Sequence, residues 1–250
     1  MEASPLGEHR MKTLFLITAR GQSKGVPRKN LKKIGGISLV GFKAISAKRS
    51  KYCTRLILSS DDAEIQADAL SYGVEVPFTR PAELATDTAS STDVIRHAMD
   101  WIEAHTKERY EAIMLLEPSS PFARALDFDK AVELMIERNA NAVIGMREME
   151  VNSVFVGELD ERGRMTTIVD QMQHRHLRRQ ELKPEYTMNA ALYLFKWDLF
   201  KEHHSVYADR ENTYGYVMDR YHSVEIDEPI DFHWAEFLVD KGYVDMSDWR

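Results

Sequence analysis

The amino-acid sequence predicts an α/β fold with three layers, in which helices cover both faces of a mostly parallel β-sheet. Two observations support this prediction. Short apolar runs rich in β-branched residues alternate with longer segments of helical periodicity, as they do in repeated βαβ units. The chain has 250 residues, a length that suits one α/β domain with a large buried core. We therefore expect residues 1–250 to form a single domain, with residues 1–10 as an extension before Met11.

The first part of the chain supplies two strands and two helices. Residues 13–18 (TLFLIT) and 55–59 (RLILS) are apolar runs, and both predict buried strands. Between them, residues 38–50 carry apolar side chains at helical spacing and predict a helix. Asp61 or Asp62 is a typical N-cap for the helix that follows the second strand.

The alternation continues as far as residue 146. A helix is predicted to open at Ser90 and to run through Ile102, because apolar residues recur at helical spacing between them. Residues 113–116 (IMLL) predict a short buried strand. An amphipathic helix over residues 127–138 and a strand over residues 142–146 follow. These elements complete the predicted sheet and its covering layers.

Residues 149–184 do not continue the alternation of strands and helices. Two apolar segments, residues 153–156 and 165–169, flank a polar turn at residues 160–164, and the arrangement predicts a β-hairpin. A stretch rich in His, Gln and Arg follows. We therefore predict a small β excursion from the main sheet. On the residues alone, a solvated antiparallel flap explains the segment equally well.

Composition excludes several classes of protein. The formal net charge is −7 and the basic residues are scattered, which argues against a nucleic-acid-binding protein. Cys53 is the only cysteine, so an intrachain disulfide and a C-x-x-C metal site are both excluded. No apolar run approaches the ~20 residues that span a bilayer, and residues 1–10 lack the apolar core of a signal peptide. We expect a cytoplasmic enzyme without a nucleic-acid or membrane partner.

A basic loop follows the first predicted strand. Residues 19–30 (ARGQSKGVPRKN) lie where α/β sheets hold phosphates, although they match neither G-x-x-x-x-G-K-[ST] nor G-x-G-x-x-G. Arg20 and Lys24 are the cations best placed for a triphosphate. Gly21 and Gly25 allow main-chain amides to approach it closely. The alternative is a solvated basic loop that binds nothing.

Two carboxylates near the C-terminus suit a hard cation. Glu225 and Asp227 are two residues apart, so in an extended strand both side chains lie on one face. Mg²⁺ needs only one or two such carboxylates when phosphate oxygens supply further ligands. The alternative is that Asp227 and Glu228 merely cap the helix that Pro229 begins.

Several blocks of the chain are similar to one enzyme family. Residues 19–30 match every fixed position of the loop A-R-x-x-S-K-G-x-x-x-K-N, and residues 80–91 (RPAELATDTASS) form a second specific block. Both blocks resemble the nucleotide-binding segments of the acylneuraminate cytidylyltransferases, or CMP-sialic acid synthetases. Shorter matches follow in family order at residues 116–121, Arg179, residues 189–193 and residues 223–231. The resemblance implies a sheet of the nucleotide-diphospho-sugar transferase type, CTP as nucleotide and Mg²⁺ as cofactor. It also implies a homodimer in which the excursion reaches the partner's acceptor site.

The resemblance assigns nucleotide binding and catalysis to particular residues. The implied nucleotide-binding residues are Ala19, Arg20, Gly21, Ser23, Lys24, Asn30, Arg80, Ala89 and Ser91. Arg20, Lys24 and Asp227 are the implied catalytic residues, and Glu225 and Asp227 are the implied ligands of Mg²⁺. The family has Asp-x-Asp where this chain has Glu-Ile-Asp, so one ligand arm is longer here. Helix capping at Ser90 is compatible with a pocket lined by its neighbours.

The positions that correspond to the acceptor site differ in part from the family pattern. The residues that align with family positions contacting the sugar acid are Glu117, Arg179, Asn189 and Tyr193, of which Arg179 suits a carboxylate. Glu117 replaces a glutamine, Phe155 replaces a lysine of the excursion, and Ala190 replaces a glycine. These departures point to a small acidic sugar of the same class, and the sequence leaves open whether it is N-acetylneuraminate itself. A structural alternative is that Glu117 pairs with Arg124 or Arg20 and never meets the acceptor.

We therefore predict a CTP-dependent cytidylyltransferase. It would activate an acidic keto-sugar, sialic acid or a related nonulosonic acid, to its CMP-glycoside with release of pyrophosphate. The alternatives are an enzyme like CMP-Kdo synthetase, a cytidylyltransferase for another small acid such as a phosphonate, and a nucleotide-binding regulator without turnover. No residue stands out as the general base, and Asp227 and a metal-bound hydroxide are both candidates.

Overall fold

The computed structural model describes residues 10–23, 25–175 and 182–250. Its strands are β1 (Thr13–Thr18), β2 (Lys33–Ile34), β3 (Ile37–Ser38), β4 (Cys53–Ser59), β5 (Ala112–Leu116), β6 (Ala142–Glu148), β7 (Tyr186–Lys196) and β8 (Thr213–Val217). Its α-helices are α1 (Leu39–Arg49), α2 (Ala63–Ser71), α3 (Ser91–His105), α4 (Ala125–Arg138), α5 (Thr166–Arg175), α6 (Trp197–His203) and α7 (Pro229–Asp240).

Six strands form the main sheet in the order β4-β1-β5-β7-β6-β8, and β2 pairs with β3 in a separate ribbon. β1 pairs in parallel with both of its neighbours, and β6 pairs in parallel with β8. β7 pairs antiparallel with β5 and with β6. The predicted mostly parallel sheet is confirmed.

The side chains of β1 build the core on both faces of this sheet. Phe15 and Ile17 belong to the apolar cluster that includes residues of α1, α2 and α4. Leu14 and Leu16 belong to a second cluster that includes residues of α3 and α6. Successive side chains of a strand point to opposite faces, and burying each one stabilises the fold by about 1.5–3 kcal/mol. The two clusters confirm the predicted three layers.

The predicted helix starts are also confirmed. Asp62, rather than Asp61, caps α2 and accepts hydrogen bonds from the amides of Glu64 and Ile65. Ser90 caps α3 and accepts a hydrogen bond from the amide of Thr92. Each cap satisfies main-chain donors that the first turn leaves without a partner. The caps begin both helices close to the carboxyl edge of the sheet.

The predicted β-hairpin within residues 149–184 is wrong. Ser153–Phe155 is a 3-10 helix, and the second apolar segment belongs to α5. Only the turn is as predicted, with the amide of Asp160 donating to the carbonyl of Arg164 at 3.1 Å. Met165, Ile168 and Met172 recur at helical spacing, and in the described part of the chain no strand pairs with this segment. The excursion is therefore largely helical where the structure describes it.

α7 packs against the loop that follows β1. Val26 of that loop lies in one apolar cluster with Ile226, Phe232 and Leu238. The cluster attaches the C-terminal helix, and the segment that leads into it, to the carboxyl edge of the sheet. Among the described helices, none combines the length and apolar character that crossing a membrane requires.

Candidate active site

Two adjoining cavities open at the carboxyl ends of the central strands. The first, which we call the Arg80 cavity, has a volume of about 260 Å³ and is lined by Thr18, Arg20, Arg80, Leu84, Thr86, Asp87, Ala89, Ser91, Val94 and Leu115. The second, the Glu117 cavity, has a volume of about 420 Å³ and is lined by Thr18, Arg20, Ser23, Gly25, Lys29, Asn30, Glu117, Pro118, Ser119, Glu225 and Asp227. Thr18 and Arg20 line both cavities, so the two lie side by side, and we call them together the groove.

The loop after β1 is fixed to its surroundings through its main chain. The buried Ala19 donates its amide to the carbonyl of Ser59 at 3.1 Å. The amide of Gly21 donates to Asp61 Oδ1 at 3.0 Å, so this amide is held by the protein and does not point freely at a phosphate. Asn30 is buried, and its Nδ2 donates to the carbonyl of Arg20 at 2.9 Å. Asn30 therefore shapes the loop as well as lining the Glu117 cavity.

Two arginines place positive charge along the groove. Arg20 Nη1 lies 2.6 Å from Asp87 Oδ1, which holds this partly exposed side chain between the two cavities. Arg80 is buried, with Nε donating to Ser59 Oγ at 3.0 Å and Nη2 donating to the Ser59 carbonyl. Burial lowers the pKa of Arg80 to about 10, and the charge of Arg20 acts in the same direction. Arg80 therefore remains cationic at neutral pH.

The loop packs directly against the carboxylate segment, residues 223–228. Lys29 Nζ donates to the carbonyl of Ile226 at 2.6 Å and lies 3.1 Å from Asp227 Oδ1. Gly25 approaches so closely that a Cβ at this position would collide with the carbonyl oxygen of Asp227. The amide of Ile226 donates to the carbonyl of Ser119, which ties the segment to the turn after β5.

The carboxylates of this segment have separate roles. Glu228 and Asp231 exchange the capping hydrogen bonds of α7, so the capping alternative applies to Glu228. Glu225 and Asp227 instead line the Glu117 cavity. Burial and the nearby charge of Asp227 raise the pKa of Glu225. Two carboxylates thus face the groove that Arg20 also lines.

Glu117 follows the end of β5, between the loop and the carboxylate segment. Neither arginine that the sequence offered as a partner for Glu117 pairs with it. Arg20 pairs with Asp87, and Arg124 pairs with Asp127 at 3.0 Å. Among the described residues, none forms a hydrogen bond or ion pair with the Glu117 carboxylate. Burial and the charge of Glu225 raise the pKa of Glu117 to about 6. Within the described part of the chain, the carboxylate therefore faces the cavity without a partner.

Two tyrosines lie near Glu117. Tyr193 of β7 was predicted from the sequence, whereas Tyr207 was not. Burial and then the charge of Glu117 raise the pKa of both phenols. Tyr207 is half exposed and its hydroxyl lies 3.4 Å from Met188 Sδ.

Asn189 lies beneath the site rather than in it. Its side chain is buried, with Nδ2 donating to Ser223 Oγ at 3.0 Å and Oδ1 accepting from the amide of Ala191. Its carbonyl accepts from Ser120 Oγ at 2.8 Å. The next residue, Ala190, has φ +52°, a left-handed conformation that costs an L-residue about 1–2 kcal/mol. These contacts join β7 to the turn after Glu117 and to the carboxylate segment.

The structure brings together most of the predicted site residues and adds three. Lys24 and Arg179 lie outside the described residues. Lys29 is a fixed position of the loop motif and could have been assigned from it, whereas Tyr207 lies in a loop without a motif. Arg147, near the end of β6, lines a cavity of about 250 Å³ beside Glu225. No local pattern in the sequence indicates that Arg147 lies there.

Comparisons with known proteins agree with this geometry. The family model described as "Cytidylyltransferase" matches residues 14–240. "Post-translational flagellin modification protein B" of Campylobacter coli is 32% identical over 235 residues, which cover 94% of this chain and 98% of that protein. "CMP-N,N'-diacetyllegionaminic acid synthase" of Campylobacter jejuni is 34% identical, with 90% and 94% of the two chains covered.

A solved structure shows the same fold at lower identity. A CMP:2-keto-3-deoxy-manno-octonic acid synthetase complexed with CTP has a TM-score of 0.68 and 14% identity, and the match covers 92% of this chain and 99% of that chain. The findings show that this chain is a nucleotidyltransferase with the three-layer fold of such enzymes.

We expect Arg20→Ala to lower kcat/KM for nucleotidyl transfer by about 10²–10³-fold, because the sequence assigns Arg20 to the phosphates and the variant lacks this preorganised cation. The fold should persist, since the ion pair with Asp87 is partly exposed and such pairs contribute about 0–1 kcal/mol. Pyrophosphate release and thermal unfolding measure the two effects. Arg28→Ala is the matched control, because Arg28 lies in the same loop but pairs with Glu64 at the surface. A folded Arg20→Ala variant with a normal rate would contradict the assignment.

Proposed function

Because the chain belongs to the cytidylyltransferase family, we propose that it transfers CMP from CTP to the anomeric hydroxyl of a nonulosonic acid. The products are the CMP-glycoside and pyrophosphate. One observation carries the proposal: the Arg80 cavity and the Glu117 cavity share Arg20, and the paired carboxylates Glu225 and Asp227 line the second. Relatives named as CMP-N,N'-diacetyllegionaminic acid synthase and "Pseudaminic acid cytidylyltransferase" support the choice of acceptor class.

The Arg80 cavity suits the nucleoside of CTP. It is lined by Arg80 and by Ala89 and Ser91 at the start of α3, where main-chain amides and hydroxyls are available to the edge of a pyrimidine. The phosphates would then extend past Arg20 into the Glu117 cavity. Ser23 lines that cavity, and Lys24 belongs to the same loop by sequence. The family assignment of these residues to the nucleotide is part of the proposal.

The reaction needs charge neutralisation and an aligned nucleophile. The acceptor hydroxyl forms a bond to the α-phosphorus while the bond from that phosphorus to the pyrophosphate oxygen breaks, and the hydroxyl proton leaves to a base. Negative charge grows on the departing pyrophosphate, which cations of the loop stabilise. Arg20 is suited to this role because its contact with Asp87 fixes its side chain in advance.

Glu225 and Asp227 fit a magnesium ion. Both offer hard oxygen donors on the wall of the cavity through which the phosphates pass, and Mg²⁺ is commonly held by one or two carboxylates together with phosphate oxygens. The bound ion would supply charge neutralisation along the triphosphate. Lys29, 3.1 Å from Asp227 Oδ1, orients that carboxylate toward the groove.

We assign acceptor recognition to the part of the site whose residues differ from the family pattern. Glu117 lines the cavity, and its charge also acts on the nearby phenols of Tyr193 and Tyr207. A carboxylate there favours an acceptor that offers a hydroxyl or amide donor. Arg179, predicted to bind the sugar carboxylate, and Asn189, predicted to contact the sugar, remain proposals; the contacts of Asn189 support a role beneath the acceptor.

We also infer that the chain forms a homodimer through the excursion. Phe155, Val156, Leu159, Met165, Val169 and Met172 leave 39–63% of their surface exposed within one segment. Grouped apolar exposure of this kind is typical of a protein interface. A second copy is the occupant implied by the resemblance, and its excursion would approach this chain's acceptor side.

Pyrophosphate release tests the proposed reaction. Release should require CTP together with N,N'-diacetyllegionaminate, pseudaminate or N-acetylneuraminate, and ATP, GTP and UTP should not replace CTP. Efficient turnover of 2-keto-3-deoxy-manno-octonate alone would favour an enzyme like CMP-Kdo synthetase. The absence of release with CTP and every acid, from folded protein, would overturn the function.

We expect Asp227→Asn to raise the Mg²⁺ concentration needed for half-maximal rate, or to end activity, because one hard anionic donor is lost. Glu225→Asp should retain activity, since it keeps the carboxylate and restores the family residue. Glu228→Gln is the control, because Glu228 caps α7 and should affect only thermal stability. Wild-type activity in excess chelator would contradict a carboxylate-bound ion.

We expect Glu117→Gln to raise kcat/KM for N-acetylneuraminate relative to the preferred acceptor, by a factor that corresponds to about 1–3 kcal/mol. Both acceptors are measured at saturating CTP, so that a change in the affinity for CTP does not enter the acceptor ratio. Because the pKa of Glu117 is raised to about 6 by burial, the wild-type preference should decline as the pH falls through that value. The Glu117→Gln variant should lack this pH dependence, and an unchanged acceptor ratio would leave Glu117 with a structural role.

We expect light scattering to give a molar mass of twice the 28.8 kDa of one chain. Val169→Asp combined with Met172→Asp should lower that mass, because both side chains are exposed on α5. Val217→Asp is the matched control, since Val217 is also exposed but lies on β8. A wild-type monomer at all concentrations would contradict the dimer.

A further inference from the structure

Lys43 is a fully buried lysine in the middle of α1. It has 0% of its surface exposed, and its Nζ donates to the carbonyl of Ala191 in β7 at 2.8 Å. The ring of Phe128 lies beneath it, with 5.8 Å from Nζ to the ring centroid. A lysine ammonium has three donors, and within the described residues only this one hydrogen bond is formed. Burying a cation with so few partners is costly unless a charge nearby compensates it.

Two carboxylates are close enough to influence Lys43, and one of them is already neutralised. Asp127 is buried and forms an ion pair with Arg124 at 3.0 Å, and it accepts a hydrogen bond from the hydroxyl of Tyr216 at 3.1 Å. Glu117 is the other. It has no ion-pair partner among the described residues and shares its cavity with two further carboxylates.

A chain of hydrogen bonds also links Lys43 to the residues around Glu117. Lys43 fixes the carbonyl of Ala191, whose amide donates to Asn189 Oδ1. The carbonyl of Asn189 accepts from Ser120 Oγ at 2.8 Å, and the amide of Ser120 donates to the carbonyl of Glu117 at 3.2 Å. The same lysine is therefore tied to the main chain that carries the carboxylate.

We propose that Lys43 is a positioning residue for acceptor choice: it is the buried counter-charge that keeps a carboxylate at position 117 in the site. The inference rests on the proposed function only in giving Glu117 contact with the acceptor. Glu117 shares its cavity with Glu225 and Asp227. Lys29, which also lines that cavity, pairs with Asp227, and its charge lowers the pKa of Glu117 less than the charge of Lys43 does. Burial lowers the pKa of Lys43 to about 7, and the charge of Glu117 opposes this. Each group thus favours the charged form of the other.

The test is a double-mutant cycle of Lys43→Met, Glu117→Gln and the double variant. Methionine keeps the length of the buried side chain and removes its charge. At saturating CTP, Lys43→Met alone should lower kcat/KM for the preferred acceptor by about tenfold, the factor for one pKa unit of lost interaction. In the Glu117→Gln background, the same substitution should change acceptor kinetics by less than about twofold.

Lys48→Met is the matched control. Lys48 lies on the same helix and also donates to a main-chain carbonyl, that of Tyr72 at 3.2 Å, but at the surface. It should leave acceptor kinetics unchanged in both backgrounds. If Lys43→Met lowers kcat/KM for the acceptor equally with and without Glu117, the proposal is overturned and the lysine has a purely structural role.

Thermal unfolding of the wild type, the two single variants and the double variant measures the coupling between Lys43 and Glu117 without any substrate. Lys43→Met should lower the midpoint temperature of unfolding more in the presence of Glu117 than in the Glu117→Gln background. If wild-type protein turns over no acid, the proposed function fails while this measurement still decides the pairing. Additive shifts in the midpoint would overturn the pairing even in an active enzyme.

Discussion

The close packing of the loop after β1 against the carboxylate segment is the constraint on which the site depends. Gly25 lies so near the carbonyl of Asp227 that a side chain would collide with it, and Lys29 bonds the preceding carbonyl at 2.6 Å. Under the proposed function, the cations and carboxylates that act on one phosphate chain are thereby held at a fixed separation before substrate arrives. Preorganisation of this kind lowers the entropy that must be lost in reaching the transition state. The apolar cluster around Val26 and α7 supports the same contact from behind.

The Arg80 cavity and the Glu117 cavity depend on different interactions. The Arg80 cavity depends on a buried Arg80 that donates hydrogen bonds to the hydroxyl and the carbonyl of Ser59. The Glu117 cavity depends on ionisable groups, the partly buried Glu117 and, behind it in α1, the buried Lys43. When one of these two charges is replaced by a neutral side chain, the other loses a charge that compensates its burial. The side chain that position 117 can carry therefore depends on the side chain that α1 places behind it.

Local patterns in the sequence were sufficient for the sheet, the caps and the loop. The run at residues 13–18 predicted β1, and all of its residues except the half-buried Thr18 are buried. Features that depend on distant partners were not predictable. Residues 165–169 suit a strand or a helix, and only the lack of a pairing strand in the described structure decides for α5. Lys43 sits among apolar neighbours at helical spacing, yet its relation to Glu117 depends on the packing of α1 against β7.

A crystal structure with a non-hydrolysable CTP analogue and Mg²⁺ tests the central claim most directly, that one groove holds both the nucleotide and the carboxylate-bound ion. We expect cytosine in the Arg80 cavity, the phosphates beside Arg20, and the ion between the phosphates and the pair Glu225 and Asp227. Cytosine bound in any other cavity, or an ion held away from both carboxylates, would contradict the account.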